Sequence, residues 1–596
     1  MSDQVEGLGP LRDAGAYADL PAPVARRPLL RRTVRLPKVL GHTVTLEVWE
    51  IVLYGAIALT LLLTRYLALG PRAYHHDESV HAKTFWDLSR GVRYVYDPVY
   101  HGPFQYYVTA LLFKIFGDSD TVGRILPATF GVALVVSLPF LMGKELGRFG
   151  TLLAMATLTL STGFMYYSRF ARNDIYVAFW TAVIFGTLVR YVDRPDRKWI
   201  LLAGFAMGMS FVTQENTFIT GFIFVSFIAL LGGWLYLIRR GVLRASEDGP
   251  RVQAAFSALG RDVEGVAYGV LIFLGLAVLF MSSFFMNNDG IRVAFVDAVL
   301  TWTKVHESQR VNQPWFYYLM FLWTYETFAA VFAFLALPWA VRRPSFFTSL
   351  LVYWLVVSFY IYSVAGEKAP WVALHPILPA ILLAALFIGR RLEKGRGRSG
   401  TWLLGVASVV LLGWTVRNAI PASFTHGDVP LDFIIYTQTS RDVLTAMAIM
   451  EEAGKRTGQG RGIPVYLEAE SHWPYAWYLR KWTAVTFGQK LDQPPAQPIA
   501  LMTEESARKL GILMPDYVGV KFKLREWFPE HVYKSWTWGS LVSLFSEGSN
   551  LQKLWRFLAF REPPDPIGST NFVMYLRTDL LKQGPIGPFT YEPPGP

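Results

Sequence analysis

The chain has 596 residues, of which 52% are apolar and only 17% charged, and it contains no cysteine. A typical soluble protein carries roughly 25% charged residues. The composition therefore excludes a disordered chain, a collagen-like fibre, a coiled coil and a disulfide scaffold, and it leaves a polytopic membrane protein with some polar mass attached. The net charge of +12 comes mostly from basic residues beside apolar runs, which indicates membrane topology rather than nucleic-acid binding.

A basic segment comes first, over residues 1–47, and its arginine and lysine cluster contains no acid between residues 26 and 38. This pattern predicts a cytoplasmic N-terminus. No cleavable signal peptide is expected, because the first apolar run begins only near Val48. Apolar runs of about 17–25 residues are typical of transmembrane helices, and about eleven are predicted. They lie near 48–69, 121–143, 150–167, 175–192, 199–215, 217–238, 264–285, 315–340, 346–364, 371–389 and 401–420.

One apolar run, Phe104–Phe116, is too short to cross the membrane. It predicts an interfacial helix in the first outer loop, with Lys114 reaching the water. When this run is left out of the count, the basic loops all fall on the side of the N-terminus, as the positive-inside rule requires. Those loops are Lys144–Arg148, Arg194–Lys198, Arg239–Arg261, Arg342–Arg343 and Arg390–Arg398. The sequence thus predicts a polytopic all-α membrane domain over 48–420.

The residues after the last span, 421–584, are polar enough for a soluble domain and are predicted to lie on the extracytoplasmic side. Apolar runs typical of strands, such as Pro464–Leu467 and Tyr517–Phe522, alternate with helix-like runs such as Ser440–Glu452. This alternation predicts a small α/β domain. Residues 585–596 are rich in proline and glycine and are predicted to form a tail.

Ionisable and aromatic residues recur on the predicted outer side. They occur in Tyr74–His81, Tyr167–Asp174, Gln214–Asn216, Gly366–Trp371 and Trp473–Arg480. Such groups at a membrane boundary are costly unless paired or hydrated, so they are functional candidates. Each also has a plainer explanation, since acids and bases near helix ends act as caps or anchors and tryptophans form aromatic belts or cores. Zinc binding by His75, His76 and His81 is not favoured, because no tight i, i+4 pair with an acid appears.

The residue types of this set suit one kind of chemistry. A carboxylate at a water-accessible pocket can deprotonate an incoming hydroxyl or hold a divalent cation. Arginine and lysine can neutralise a phosphate leaving group, and grooves between apolar helices can hold a lipid tail. Together these features predict the transfer of a group from a lipid phosphate at the membrane surface.

Several short motifs follow one another along the chain. They are Asp77-Glu78, Tyr100-His101-Gly102-Pro103 before the interfacial helix, Arg124-Ile125-Leu126-Pro127, the Arg-x-x-Arg-Asn-Asp stretch that ends at Asp174, and Glu367-Lys368-Ala369-Pro370-Trp371. This ordered set resembles the integral-membrane glycosyltransferases of the GT-C type. The chain is most similar to the family described as flippase-activity-associated or dolichyl-phosphate-mannose-protein mannosyltransferase-like, whose outer domain typically shows WP-x-x-WYLR, here Trp473 to Arg480. The resemblance covers essentially the whole chain.

The resemblance implies inverting transfer of a sugar from a polyprenyl-phosphate donor. The acceptor would be a glycan, lipid or protein on the extracytoplasmic face of a prokaryotic plasma membrane, and no nucleic acid would take part. Asp77 matches the acid proposed as general base or metal ligand, with Glu78 beside it, and Asp174 matches the second outer acid. Asp77 and Asp174 would also be the ligands of a divalent cation, Mg or Mn, on which relatives differ.

The resemblance also implies roles for cations and for residues that contact substrate. Arg169, Arg172 and Lys368 stand where contacts to the donor phosphate are expected. The candidate substrate-binding residues are His76, His101, Glu215, Glu367, Trp473 and Trp477. For the two tryptophans a structural role, seating the outer domain on the membrane part, is equally open and slightly favoured.

Two other functions remain open. A polyprenyl-lipid carrier transporter or flippase component without transferase activity fits the many spans, but it needs a polar path across the bilayer, and the mid-span positions are nearly all apolar. If the protein were a structural scaffold, the acids on the outer side would have no function. The combination of acids and cations on one face therefore favours the glycosyltransferase.

Overall fold

The structure is a computed structural model that describes residues 33–35, 45–240, 248–298, 300–301, 313–366, 368–395, 399–534, 536–537, 539 and 548–590. It divides into two compact units, Met1–Leu59 and Thr60–Pro596. In the first unit, strands β1 (Thr33–Arg35) and β2 (Thr45–Glu47) pair antiparallel, and the helix Val48–Tyr66 begins directly after β2. The second unit carries the other described elements.

Eight helices among the described residues are long and apolar enough to cross a membrane, and a bent helix pair makes nine if it counts as one span. These spans are Val48–Tyr66, Asp120–Leu160, Asp174–Asp193, Thr217–Arg239, Val263–Met281, Phe346–Val364, Pro370–Lys394 and Gly400–Thr425. The bent pair is Tyr317–Tyr325 with Thr327–Arg342. The helices thus indicate a multi-pass membrane protein, as predicted, but the number of eleven is not confirmed.

Two predicted spans, 121–143 and 150–167, fall largely within the single helical run Ile125–Leu160. Gly147 interrupts this run with φ 74°, a left-handed conformation that glycine adopts without steric cost. The Arg65 guanidinium donates to the carbonyl of Leu158 (3.0 Å), and a Cβ added to Gly131 would lie 3.4 Å from Arg65 Nε. A straight helix would separate residues 131 and 158 by about 40 Å. The run therefore turns back on itself at Gly147.

A third predicted span, 199–215, forms the helix Arg197–Phe211, whose 15 residues are fewer than the ~20 that the hydrocarbon core requires. A fourth, 315–340, is the bent pair, whose helices meet at Glu326 with an angle of 113°. The Glu326 carboxylate accepts hydrogen bonds from the Ser161 hydroxyl (2.6 Å) and the Gly163 N–H (2.9 Å). The Glu326 carboxylate therefore links the break between the two helices to the start of the helix Thr162–Tyr167.

The predicted interfacial helix forms Phe104–Phe116, which has 13 residues. It packs against the helix His76–Ser89, and its outward side exposes Leu111, Ile115 and Phe116. An exposed apolar side is what a helix on a membrane surface presents to lipid. The other described helices of the membrane part are Asp120–Gly123, Thr162–Tyr167, Gly249–Arg261, Asp289–Arg292, Leu374–Lys394 and Ser399–Ile420.

The basic loops of the chain lie together at the end of the helices opposite the candidate site. Asp193 forms ion pairs with both Lys144 and Arg251, and the Arg390 guanidinium donates to the carbonyl of Glu145 (2.7 Å). These contacts join three loops that the sequence predicts to share one side of the membrane.

The C-terminal region contains a mixed sheet of six strands. They are β3 (Gln438–Thr439), β4 (Val465–Glu468), β5 (Val485–Gly488), β6 (Ile499–Thr503), β7 (Tyr517–Trp527) and β8 (Gly568–Arg577). The order is β3-β7-β8-β6-β4-β5, with β4 parallel to both β5 and β6 and the other pairs antiparallel. Its described helices are Asp442–Arg456, His472–Tyr478, Glu504–Leu510, His531–Lys534 and Gly548–Phe560. The predicted combination of strands and helices is found here, while the domain limits at 421 and 584 stay a prediction.

Both faces of the central strands β4 and β6 are buried, because successive residues along them are mostly apolar and point to opposite sides of the sheet. Leu467 and Leu501 face the helix Asp442–Arg456. Their neighbours Tyr466 and Ala500 belong to the core that contains residues of Glu504–Leu510. Helices thus cover these central strands on both sides.

Candidate active site

A cavity of about 480 Å³ opens between the first long loop of the membrane part and the C-terminal sheet region. Six of the residues predicted from the sequence line it. They are His76, Asp77, His101, Arg172, Glu215 and Trp473. The cavity also includes Trp371 and Ala369 from the loop that follows the span Phe346–Val364. Segments distant in sequence thus meet in one pocket.

Asp77 lies in the first turn of the helix His76–Ser89, where the helix dipole favours a negative charge. The capping residue His75 holds this turn, because its Nδ1 accepts the N–H of Asp77 at 3.0 Å. The Asp77 side chain keeps 28% of its surface exposed and forms an ion pair with Arg172. Burial alone would raise the pKa of Asp77, but Arg172 and the nearby histidines outweigh it and hold the pKa well below its usual range. Asp77 is therefore ionised at neutral pH.

Arg172 is the centre of the charge network. Its guanidinium contacts the Asp77 carboxylate, lies 3.5 Å from the Asp174 carboxylate and donates to His101 Nε2 at 3.2 Å. It also stands over the Trp371 ring, 4.0 Å from the ring centre. A planar guanidinium can serve two carboxylates and an aromatic face at once, which an ammonium group cannot. The fold therefore fixes this cation at the wall of the cavity.

Asp174 begins the helix Asp174–Asp193 and lies behind Arg172 rather than in the cavity wall. Its polar neighbours are distant, with Gln214 Nε2 at 3.5 Å and His375 Nε2 at 3.6 Å. Its Oδ2 has no hydrogen-bond partner among the described residues. The geometry places Asp174 as a buried counter-charge to Arg172, and its part as a second catalytic acid stays a prediction.

His101 and Glu215 form a second polar pair in the wall. His101 Nδ1 lies 2.8 Å from Glu215 Oε2, and the Tyr96 hydroxyl donates to Glu215 Oε1 at 2.9 Å. Because Arg172 can only donate, His101 Nε2 accepts and its Nδ1 carries the proton given to Glu215. The next residue must be glycine, since a Cβ on Gly102 would lie 2.3 Å from the carbonyl oxygen of Val212. This geometry explains the His-Gly-Pro part of the motif.

Glu78, predicted with Asp77 as a catalytic acid, does not line the cavity. Its side chain has no exposed surface and accepts two hydrogen bonds from Arg124, at 2.8 and 2.7 Å. It also accepts the N–H groups of Ala171 and His75. Burial would raise its pKa, but Arg124 and Arg72 lower the pKa to about 2. Glu78 is the buried anion that joins three segments beneath the site.

Arg169 and Trp477 form hydrogen bonds with other parts of the protein. The buried Arg169 guanidinium donates to the carbonyls of Leu67 (2.6 Å) and Ala68 (2.8 Å), after the end of the first span. The buried Trp477 indole donates to Asp120 at 2.8 Å, so it seats the sheet region on the membrane part. Neither side chain lines the cavity. The position of Trp477 agrees with the structural role that the sequence slightly favours, and a contact of Arg169 to the donor phosphate stays a prediction.

Lys368 lies beside the cavity wall, and burial lowers the pKa of its ammonium group. It has no ion pair among the described residues, and only 7% of its surface is exposed. Glu367, which the sequence names as a candidate substrate-binding residue, lies outside the described residues. Lys368 therefore carries a positive charge without an ion pair among the described residues, and it directly precedes Ala369 of the cavity wall.

The C-terminal sheet region contributes residues that sequence reasoning misses. Arg525 on β7 donates to the carbonyl of Trp473 at 3.2 Å, and its Nε has no hydrogen-bond partner among the described residues. Burial and the charge of Arg525 lower the pKa of His76 to about 4. No local signal marks Arg525, because it is one basic residue in an ordinary strand. Its proximity to Asp77 and His76 is decided by how the sheet sits on the membrane part.

The predicted metal pair, Asp77 and Asp174, does not fit a divalent cation in this arrangement. The Arg172 guanidinium lies between the two carboxylates and takes the position that a cation would need. Across the described part of the chain no group of three or more His, Cys, Asp or Glu residues could hold a metal ion. The positive charge at this site is supplied by arginine and lysine.

Comparison with known proteins agrees with the fold. A sequence profile of the family described as dolichyl-phosphate-mannose-protein mannosyltransferase matches residues 100–242. No curated protein sequence matches the chain. The structure is similar to ArnT from Cupriavidus metallidurans bound to undecaprenyl phosphate, with a TM-score of 0.53 and 14% identity over 80% of this chain and 96% of that chain.

A second ArnT structure shows the same likeness. ArnT from Cupriavidus metallidurans in the apo state has a TM-score of 0.51 and 16% identity over 80% of this chain and 95% of that one. The Archaeoglobus fulgidus oligosaccharyltransferase in the apo form has a TM-score of 0.48 and 13% identity over 74% of this chain and 64% of that one. The predicted resemblance to GT-C integral-membrane glycosyltransferases of the mannosyltransferase-like type is confirmed at the level of the fold.

Proposed function

We propose that this chain is an inverting glycosyltransferase that takes a sugar from a polyprenyl-phosphate donor on the extracytoplasmic face of a prokaryotic plasma membrane. The observation that carries the proposal is the Asp77–Arg172 ion pair in the wall of the cavity. It combines a carboxylate that can take a proton with a cation that can hold a phosphate. The ArnT structure with bound undecaprenyl phosphate supports this donor class through its similar fold.

The reaction is a single displacement at the anomeric carbon of the donor. The acceptor hydroxyl gives its proton to the Asp77 carboxylate as its oxygen forms a bond to that carbon. The bond from the anomeric carbon to the phosphate oxygen breaks, and the phosphate keeps the electron pair. Arg172 neutralises the charge that develops on this leaving group, and attack from the opposite face inverts the configuration.

Donor binding would also activate Asp77. In the free protein Arg172 stabilises the Asp77 carboxylate, which makes it a weak base. A donor phosphate competes for the same guanidinium and loosens the ion pair, so the pKa of Asp77 rises toward its usual range. Lys368 would add a second contact to the phosphate, since its ammonium group is buried beside the wall without an ion pair among the described residues. The base would thus gain strength only when donor is present.

The test is release of polyprenyl phosphate from a panel of polyprenyl-phosphate sugars by the purified full chain in detergent. Asp77→Asn should abolish release per folded molecule while donor binding stays close to that of the wild type, and loss of the ion pair with Arg172 should lower its unfolding temperature. The matched control is Asp87→Asn, which makes the same change on the same helix at a residue that pairs with Lys83 and does not line the cavity. An Asp77→Asn protein that releases polyprenyl phosphate at the wild-type rate would overturn the mechanism.

A further inference from the structure

A second cavity, of about 630 Å³, lies at the end of the helices opposite the candidate active site. It opens where several spans end, and its apolar wall includes Trp339, Phe347 and Leu386. Its charged wall is predominantly basic. The basic residues are Lys144, Arg251, Arg343, Arg390, Arg391 and Lys394. The mechanism proposed for the catalytic cavity uses none of these groups.

The acidic residues of this wall, Glu145, Asp193 and Asp248, compensate only part of the positive charge. Asp193 pairs with Lys144 and Arg251, and Asp248 lies 3.5 Å from Arg251. Outside the wall, Glu393 lies 3.9 Å from Arg390.

Three cations of the wall, Arg343, Arg391 and Lys394, have no ion pair among the described residues. Arg343 and Lys394 are exposed. The Arg391 guanidinium lies over the Phe387 ring, 3.4 Å from its centre, so its position is fixed by stacking. The cavity therefore presents uncompensated positive charge beside apolar and aromatic surface. This combination suits an anion that carries a hydrocarbon body.

The position of the cavity indicates which chemical class of anion it would bind. The cavity lies between the ends of the helices Thr327–Arg342 and Leu374–Lys394 and the start of Phe346–Val364. Helix ends of this kind stand at the level of the lipid headgroups, where basic side chains meet lipid phosphates. A lipid phosphate there would have its charged group among the cations and its chain beside Trp339 and the neighbouring spans.

We propose that this second cavity binds the phosphate headgroup of an anionic lipid, on the face of the membrane opposite the active site. Each basic residue near a membrane surface contributes roughly a factor of five to such binding. Removal of the three unpaired charges should therefore weaken it about a hundredfold. The proposal stands apart from the transferase reaction and does not depend on it.

The experiment titrates the full-length protein in detergent with dioleoyl phosphatidic acid, with phosphatidylcholine and with inorganic phosphate, and counts bound molecules by native mass spectrometry. The variant carries Arg343→Gln, Arg391→Gln and Lys394→Gln. The control carries Arg194→Gln, Lys198→Gln and Arg261→Gln, three exposed residues of the loops at the same end that do not line the cavity. Both lose the same net charge.

The proposal predicts that phosphatidic acid binds the wild type and the control and that binding falls about a hundredfold in the cavity variant. Equal losses in both variants would overturn it, because general attraction to a basic surface would then suffice. Inorganic phosphate that displaces the lipid from the wild type at equal concentration would also overturn it in favour of a soluble anion. If the triple variant does not fold, a photoactivatable phosphatidic acid should label the peptide around Trp339, and labelling confined to other helices would refute the site.

Discussion

Replacing Glu78 by glutamine should destabilise the protein without removing its chemistry. Glu78 and Arg124 form an ion pair in which neither side chain has more than 1% exposure, and breaking such a pair costs about 3–5 kcal/mol. The pKa gives a similar value, because lowering it from 4.5 to about 2 corresponds to about 3 kcal/mol. Glutamine keeps one acceptor oxygen but loses the charge, so the lower end, about 3 kcal/mol, is expected.

The pH dependence of this loss has a definite sign. A carboxyl whose pKa is lowered on folding stabilises the protein above its unfolded pKa and loses that contribution as the pH falls through its folded pKa. The difference in stability between wild type and Glu78→Gln should therefore be full above pH 4.5 and shrink as the pH falls from 4.5 toward 2. Thermal unfolding of both proteins in detergent measures this difference in stability at pH 7 and at pH 4.

The assay pairs stability with turnover in the same preparations. Glu78→Gln should unfold at a clearly lower temperature yet retain, per folded molecule, a rate of polyprenyl-phosphate release within about threefold of the wild type. Asp77→Asn should also unfold at a lower temperature, because it loses the ion pair with Arg172, but it should show no release per folded molecule. A Glu78→Gln protein with wild-type stability and abolished release would refute the reasoning, because Glu78 would then act on substrate rather than hold Arg124.

Three further outcomes are expected. Arg172→Lys should lower the rate of release per folded molecule about a hundredfold, because an ammonium group cannot contact both carboxylates and stack on Trp371; a wild-type rate would contradict this. The stability of the wild type should fall as the pH falls from 6.5 to about 4, because in this range His76 is protonated in the unfolded chain but not in the folded protein. His76→Gln should reduce this fall, and unchanged pH curves would count against the prediction. Trp477→Phe should cost about 1–3 kcal/mol through the lost hydrogen bond to Asp120 while the donor KM stays unchanged, and a raised KM with normal stability would restore a substrate role.

Asp77 and Glu78 show that neighbouring acids near a membrane surface can occupy different environments. Asp77 and Glu78 are adjacent in sequence and both carboxylates are ionised, but only Asp77 lines the cavity. Neighbours at successive helical positions point in directions about 100° apart. One turn of helix therefore delivers a carboxylate to the cavity and another to the buried interior. The proposed chemistry therefore uses Asp77, which lines the cavity, and not Glu78.

The sequence by itself indicated a membrane part of several helices and the polar segments that line the cavity. Long apolar runs must become helices in a bilayer, because every backbone polar group there has to bond within its own segment. The basic loops that the sequence predicts to share a side do meet, as the contacts of Asp193 and Arg390 show. The clustering of polar motifs between the spans indicated where Asp77, His101 and Arg172 would lie.

Only the tertiary structure decided which of these residues line the cavity. Composition and spacing do not distinguish an arginine at the cavity wall from one that satisfies carbonyl groups, and Arg172 and Arg169 stand three positions apart with these two fates. The turn at Gly147 and the approach of Arg525 to His76 likewise depend on contacts between distant segments. The physical reason is that hydrophobic periodicity acts locally along the chain, whereas the pairing of buried charges depends on which partners the packed fold brings within reach.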